Sequence, residues 1–510
     1  MLAKLRTFAL LGIEAVPVEV EVDSAHGTAK VILVGMAETA VRESIHRIER
    51  ALANLGYTRP SGRVIISLAP ADLRKEGGAF DLPIALGTLV ATGQLKADAG
   101  ESYATVGELA LDGAVRPVQG VLSMAMAARD LGIKRFLVPT ANAKEAAVVA
   151  ELEVYGITSL GEAVGIINGA VEVDPVSPQL DHLEEQLQRF EADFADVRGQ
   201  ESAKRAMVVV AAGGHNVLML GSPGSGKTML ARRLAGILPP LTLEESLATT
   251  RIYSAVGRLS PGEGLLTTRP VRSPHHTISD AGMVGGGTIP APGEISLAHN
   301  GILFLDELPE FNRKSLEALR QPLEEGRVTI SRAAHSATFP ADFILCAAMN
   351  PCPCGYLGDA RTQCKCHPMQ VEKYLAKISG PLLDRIDLHV EVPAVPFVEL
   401  SKATDGTNSK TMRAQVDAAR IRQAARFTGT AMVNGRMTPK LIRKHCVLND
   451  ETRVLLSAAM TDLGLSARAH DRILRVALSI ADLAASETIE VDHIAEAIGY
   501  RTLDRRLWRR

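Results

Sequence analysis

Residues 221–228 read Gly221-Ser222-Pro223-Gly224-Ser225-Gly226-Lys227-Thr228, which matches G-x-x-x-x-G-K-[ST] at every fixed position. The glycines let the backbone curl around a polyphosphate, because they accept φ > 0 and carry no Cβ. Successive N–H groups then face the anion, and the helix that follows adds its positive end. Lys227 is placed to reach the β- and γ-phosphates of a nucleoside triphosphate, and Thr228 to put a hydroxyl on Mg²⁺. The flanks agree. Asn216-Val217-Leu218-Met219-Leu220 reads as a short buried strand, and Met229 to Leu238 as a helix stopped by Pro239-Pro240.

A length of 510 residues suggests about three or four domains. The apolar share of 46% is ample for real cores. Aromatic residues make up only 4%, with one Trp, so stacking platforms for single-stranded nucleic acid are scarce. A net charge of −2 leaves nucleic-acid binding to be read locally. Lys4 and Arg6 precede Phe8-Ala9-Leu10-Leu11-Gly12-Ile13 in the manner of a signal peptide, but Glu14 ends the apolar run and no small-residue cleavage site follows. No run of about 18 apolar residues occurs, so no membrane span is expected. Six cysteines in a large chain without an export signal point to a reducing cytoplasm, where clustered cysteines serve as metal ligands rather than disulfides.

The first segment, 1–170, alternates strand-like and helix-like patterns and is expected to be an α/β or α+β domain. Pro17 to Val22 and Arg63 to Leu68 read as strands, and Ala40 to Leu55 as a helix ended by Gly56. Residues 171–192 change character: Glu172-Val173-Asp174-Pro175-Val176-Ser177-Pro178 reads as a linker, and Leu183-Glu184-Glu185-Gln186-Leu187 is acidic and polar. An α/β domain holding the phosphate loop is placed at 193–400. The polar stretch Lys402 to Lys410 leads into a helical region, 401–510, with period-3.6 patterns at Arg468 to Leu483 and Val491 to Ile498.

Downstream of Lys227, Gly301-Ile302-Leu303-Phe304-Leu305-Asp306-Glu307 is an apolar strand ending in two carboxylates. Asp306 is expected to hold Mg²⁺ and Glu307 to polarise an attacking water. A third strand, Phe343 to Met349, ends in Asn350, whose amide is suited to orient that water, although Asn before Pro is by itself an ordinary turn signal. Directly after it, Cys352-Pro353-Cys354 and Cys364-Lys365-Cys366 form two C-x-C pairs that suit tetrahedral Zn²⁺ in a structural site within an insertion, 352–366. His367 is an alternative ligand to one of the four; free thiols in a surface loop are the other reading. Cys346 and Cys446 read as packing residues.

The ordered set resembles the AAA+ ATPases. Phe194-Ala195-Asp196-Val197-Arg198-Gly199-Gln200 is similar to the segment that cups adenine in that superfamily, which places Val197 and Gly199 at the nucleotide. By the same resemblance Asn350 is the sensor-1 residue. Gly380-Pro381-Leu382-Leu383-Asp384-Arg385-Ile386-Asp387 resembles the arginine-finger segment, with Arg385 reaching a neighbouring subunit's γ-phosphate; an ordinary ion pair is its other reading. Arg468, in Leu465-Ser466-Ala467-Arg468, resembles sensor 2 on a helical lid, with Arg472 and Arg475 as rivals on the same helix. A positive fork on a charge-spread transition state is what phosphoryl transfer needs. The resemblance implies ATP and Mg²⁺ as cofactors and a homohexamer as the default assembly.

Two further resemblances concern the whole chain. Val106-Gly107-Glu108 through Gly120-Val121, together with Lys75-Glu76-Gly77-Gly78-Ala79-Phe80-Asp81-Leu82-Pro83, resembles the proteolytic domain of Lon-type proteases. The matching puts Ala79 at the serine position and Leu122 at the lysine position, so the domain is expected to be a non-peptidase scaffold; a shifted register using Ser67 or Ser123 is the alternative. Arg272-Ser273-Pro274-His275-His276-Thr277-Ile278-Ser279, Gly285-Gly286-Gly287 and Pro292-Gly293-Glu294 through Asn300-Gly301 resemble the magnesium-chelatase ATPase subunits. Taken together the chain resembles the ComM/YifB group of magnesium-chelatase-like AAA+ proteins. That resemblance implies a hexameric DNA helicase promoting branch migration in natural transformation, with DNA and recombination proteins as partners. Arg251, Arg258, Arg269, Arg272, His275 and His276 concentrate chargeable groups between the nucleotide motifs, and Arg327 and Arg332 flank a possible hairpin edge. In a ring such groups would circle a phosphate backbone; solvated surface or ion pairing is the competing reading. The tail Arg501, Arg505, Arg506, Arg509 and Arg510 is basic too.

Overall fold

The computed structural model describes residues 2–501 and 503, apart from residues 26, 29, 36–38, 61, 74, 76, 97–101, 179–191, 261, 288–289, 332–335, 360, 396–406 and 428–431. Outside the described residues lie Glu76, the acidic stretch Leu183 to Leu187, residues 402–406 of the polar stretch, Arg332, and the tail arginines Arg505, Arg506, Arg509 and Arg510.

The apolar run after Arg6 forms strand β1 (Leu2–Leu11), which turns at Gly12 into β2 (Glu14–Ala25). With β3 (Lys30–Val34), β4 (Arg63–Ala69) and β5 (Tyr103–Thr105) these strands begin one sheet. A small hairpin, β6 (Glu108–Leu109) and β7 (Val115–Arg116), stands apart; β8 (Arg135–Pro139) and β9 (Glu153–Ile157) complete the sheet in the order β3-β4-β2-β1-β5-β8-β9. Period-two alternation explains the face: Val18, Val20 and Val22 are buried while the residues between them are more exposed. The wholly buried helix Asp81–Ala91 packs on that face, close enough at Gly87 that a Cβ would meet Val22 and Leu5.

The phosphate-loop region holds a second sheet. Its strands are β10 (Val217–Leu220), β11 (Val271–Arg272) and, after a short hairpin of β12 (Gly285–Gly286) and β13 (Ala291–Pro292), β14 (Ile302–Leu305). A second hairpin, β15 (Arg327–Ser331) with β16 (Ser336–Pro340), precedes β17 (Ile344–Met349) and β18 (Leu388–Glu391). The order is β11-β14-β17-β10-β18, and every pairing is parallel. β14 and β17 are buried on both faces, which is why they read as unbroken apolar runs. The chain is thus a mixed α/β fold with a parallel sheet, as the sequence pattern predicts. Helices Ser409–Arg426, Asp450–Asp462, Ala467–Leu483 and Val491–Gly499 follow, and residues of all four share one buried cluster with β10 and the helix Glu201–Gly213.

The N-terminal sheet is bolted to the phosphate-loop region by its first turn. Ile13 is buried in the cluster that holds Phe339 and Leu303, and Gly12 lies against Ala337 and Phe339. Polar contacts add to this. Ser123 Oγ donates to the Ile13 carbonyl (2.6 Å), and Ser254 Oγ donates to the buried Glu145 carboxylate (2.6 Å). Among the described residues no helix is long and apolar enough to cross a membrane.

Candidate nucleotide site and cysteine cluster

All five parallel strands send their carboxyl ends to one edge, where open α/β sheets bind ligands. Leu220 is level with Met349 on one side and Glu391 on the other, so the residues that follow these strands meet. Gly221 follows β10, and a Cβ there would overlap the Val392 carbonyl; only glycine fits. Gly226, at φ +94°, starts the helix Lys227–Ile237, a left-handed position that suits glycine. The Lys227 ammonium donates to the carbonyls of Gly221 (2.8 Å) and Ser222 (2.9 Å) and to Asn350 Oδ1 (3.2 Å). Burial lowers its pKa, and Asp306 and Glu307 oppose that shift. Thr228 Oγ1 donates to Asp306 Oδ2 at 2.8 Å, so the hydroxyl and carboxylate expected on Mg²⁺ already face each other. The structure therefore brings Gly221 to Thr228, Asp306 and Asn350 together.

Glu307 occupies a left-handed conformation, φ +53°, held by its N–H donating to Asp306 Oδ1 (2.9 Å). That turn leaves its carboxylate 56% exposed beside the carboxyl edge of the sheet. His276 Nδ1 lies 3.8 Å from Glu307 Oε2; the ring stacks on His275 at 4.0 Å and meets Phe311 edge-on. Val197 is buried after the turn Phe194–Asp196, and Gly199, at φ +60°, leads to Gln200. Gln200 Nε2 donates to Ser225 O (2.5 Å) and Pro393 O (3.0 Å), bracing the phosphate loop against the end of β18. Asp193 Oδ1 accepts from the N–H groups of Ala195 (2.9 Å) and Ser409 (2.7 Å), so this segment is tied to the first helix of the C-terminal region. Those two N–H groups hold the Asp193 carboxyl below its ordinary range.

Arg385 and Arg468 lie apart from this cluster. Arg385 is 5% exposed, forms an ion pair with Glu324 and donates to Pro381 O (2.6 Å). Its ion pair is thus one of the two readings the sequence allows, formed with an acid far along the chain rather than with Asp384 or Asp387. Arg468 is exposed in the first turn of helix Ala467–Leu483. Its rivals are engaged: Arg472 Nη1 donates to buried Asp387 (2.5 Å) and Arg475 Nη1 to Gly435 O (3.3 Å).

The sulfurs of Cys352, Cys354, Cys364 and Cys366 lie within 4.8 Å of one another, close enough to share one metal ion. Backbone N–H groups of Tyr356 and Lys365 lower the Cys354 thiol, while burial raises that of Cys352. His367 caps the helix Pro368–Leu375, accepting from Met369 N–H, and is not part of the tetrad. Cys346 and Cys446 are buried elsewhere.

The basic stretch between the motifs is a different matter. Arg251 pairs with Glu14, Arg269 with Glu245, and Arg258 and Arg272 share Glu294. Each of these four arginines thus has a carboxylate partner within the chain, as the ion-pair reading expects, with three carboxylates serving all four. Ala79 sits in the turn Gly78–Phe80 and Leu122 is wholly buried. The hydroxyl of Ser123 is held by the Ile13 carbonyl and Arg251 Nε (3.3 Å), neither of which takes up a proton.

A parallel sheet with a phosphate loop, a carboxylate pair and a polar amide on adjacent strand ends defines a P-loop ATPase of the AAA+ class. Three family descriptions match in succession: "Subunit ChlI of Mg-chelatase" over residues 20–142, "Magnesium chelatase, subunit ChlI" over 193–400, and its "C-terminal" part over 406–501. The chain is 44% identical to the YifB protein of Salmonella typhimurium, over 99% of this chain and 98% of that one. It is likewise 44% identical to the competence protein ComM of Haemophilus influenzae, over 98% and 97%. The magnesium-chelatase 67 kDa subunit of Chlorobaculum tepidum is 30% identical over 164 residues, 31% of this chain and 23% of that protein. The chain belongs to the ComM/YifB family of magnesium-chelatase-like AAA+ proteins. Membership implies ATP and Mg²⁺ as its nucleotide and ion.

Proposed function

We propose that the protein is an ATP-driven DNA motor that works as a cytoplasmic homohexamer and promotes branch migration of recombination intermediates in natural transformation. The observation that carries this reading is the full-length similarity to a relative named a competence protein, supported by the pairing of Thr228 with Asp306 beside the phosphate loop. In it, Lys227 and the loop N–H groups hold the triphosphate, Thr228 and Asp306 hold Mg²⁺, and Val197 and Gly199 lie against the adenine. Glu307 takes the proton of the attacking water and Asn350 orients that water. Arg468, exposed while Arg472 and Arg475 are engaged, is the sensor on the helical lid. Arg385 acts across the subunit boundary after exchanging Glu324 for a neighbour's γ-phosphate.

Because no base-reading motif is present, DNA is expected to be held through its backbone, with steep salt dependence and little sequence preference. ATP turnover should rise several-fold on adding a four-way or three-strand DNA junction at low salt. Turnover indifferent to linear and branched DNA alike would overturn the motor reading. The alternative is a magnesium-chelatase-type motor that remodels a protein partner, favoured by the family descriptions and the 164-residue match; binding to a porphyrin-carrying subunit would support it.

The cysteine tetrad is read as a structural Zn²⁺ site, since four thiolates leave no open position for chemistry. Zinc per chain is expected to be close to one by elemental analysis and to fall towards zero in Cys364→Ser/Cys366→Ser. Zinc unchanged in that variant would remove the assignment.

A further inference from the structure

The cysteine loop leaves β17 directly after Asn350 and turns back across the phosphate loop. Gly355, at φ +85°, is so close to Pro223 that a Cβ placed on it would stand 2.5 Å from Cδ and 2.6 Å from Cγ of the proline ring. Asn350 Cγ would be 3.8 Å from the same atom. Farther along, the Asp359 carboxylate accepts from the N–H groups of Arg361 (2.8 Å) and Thr362 (2.9 Å), which together with the nearby Ser222 side chain hold it below the ordinary carboxylate range. Ser222 is also one of the two residues whose carbonyls hold the Lys227 ammonium. Pro223 of the phosphate loop and Asn350 therefore both lie against this one segment at Gly355. Gly358 belongs to the same segment, at φ +80°, yet faces open space.

We infer that the cysteine loop is the outer wall of the phosphate site, and that Gly355 is a positioning residue that sets where Pro223 lies and so the curl of the phosphate loop. The inference rests on the ATP reading above. A tetrad of sulfurs joined through one ion is a short, stiff cross-link, and Gly355 follows its second ligand directly. The phosphate loop binds through the direction of its N–H groups, so a push on Pro223 turns those groups away from the anion. Only glycine both accepts the positive φ and leaves the ring room.

The test is titration of the full chain with a fluorescent ATP analogue and Mg²⁺, alongside KM, kcat and bound metal. Gly355→Ala should weaken analogue binding and raise KM by about tenfold or more, as expected for a methyl forced onto a packed ring, with kcat within about threefold and metal retained. Gly358→Ala carries the same positive-φ penalty without the contact and should bind the analogue as the unaltered chain does. Pro223→Ala introduced into Gly355→Ala should return affinity to that of Pro223→Ala alone, a rescue that a general loss of stability would not give. Should Gly355→Ala fold poorly, Gly355→Asn accepts the positive φ more readily while carrying the same Cβ; it should weaken analogue binding likewise, and unchanged affinity there overturns the inference. Equal effects at Gly355 and Gly358, or no rescue by Pro223→Ala, also overturn it. Failure of the unaltered chain to bind the analogue would instead sink the ATP reading, before any variant is compared.

Discussion

Glu307→Gln is expected to bind ATP as tightly as the unaltered chain and to hydrolyse it about 10²–10⁴-fold more slowly, the range for loss of a positioned general base. The amide keeps the size of the side chain and its hydrogen-bonding reach, but it does not take up a proton from water. Nothing that holds the nucleotide changes: Lys227 keeps its carbonyl and Asn350 partners, and Thr228 still faces Asp306. The left-handed turn at Glu307 is held by the Asp306 carboxylate accepting the residue-307 N–H, a contact that the substitution leaves alone. Single-turnover hydrolysis together with analogue binding separates the two effects. A variant that hydrolyses ATP at the normal rate would show that the base is another group; one that fails to bind would show that Glu307 helps to build the site.

Asp387→Ala should cost about 3–5 kcal/mol, the range for removing one partner of a buried ion pair. Asp387 is 3% exposed and faces three elements at once. Its carboxylate accepts from Arg472 (2.5 Å) on helix Ala467–Leu483 and from the Asn216 N–H (2.8 Å) at the start of β10, and His215 Nδ1 lies 3.8 Å away. Removing it leaves the Arg472 charge at the seam between the parallel sheet and the helical region without its counter-ion. The sign of the pH dependence follows. Burial alone would raise this carboxyl, but Arg472 and His215 hold it far below the ordinary carboxylate range. A depressed carboxyl stabilises fully above its unfolded pKa of about 4, and that stabilisation is lost as pH falls towards the folded value. His215 is depressed by burial, so the unfolded chain takes up a proton first as pH falls below about 6.5, which adds to the loss on acidification. Denaturant midpoints followed by circular dichroism should fall from pH 7 to pH 4 in the unaltered chain. In Asp387→Ala they should start lower and fall less steeply below about pH 5. A midpoint at pH 7 equal to that of the unaltered chain would mean that the seam does not depend on this carboxylate.

The phosphate loop was legible because its geometry is made by residues next to one another. Glycines at 221, 224 and 226 shape the turn, and Lys227 and Thr228 begin the helix it opens. The apolar runs before Asp306 and Asn350 were equally plain, since a strand buried on both faces has few other ways to be written. The two C-x-C pairs marked a candidate metal site, and the fold brings their four sulfurs within 4.8 Å of one another.

Charge behaved otherwise. Arg251, Arg258, Arg269 and Arg272 look like a basic patch along the chain, yet their partners Glu14, Glu294 and Glu245 are brought to them by the fold. Whether a cation is free depends on distant residues, and no local pattern records it. Gln200 bracing Ser225 and His276 beside Glu307 are hidden from local sequence for the same reason. In sequence His276 falls within the basic patch, and a lone Gln carries no signal of its own.

The local order of residues was enough to specify a parallel α/β core, a phosphate loop with its carboxylate pair, and a cysteine cluster, because backbone conformation and strand burial are written in neighbouring positions. Sheet register decided the rest. By setting β10 level with β17 and β18 it put Lys227 on Asn350, Gly221 under Val392 and the cysteine loop against Pro223. Those contacts join residues up to about 170 positions apart, and only packing of the whole chain brings them together.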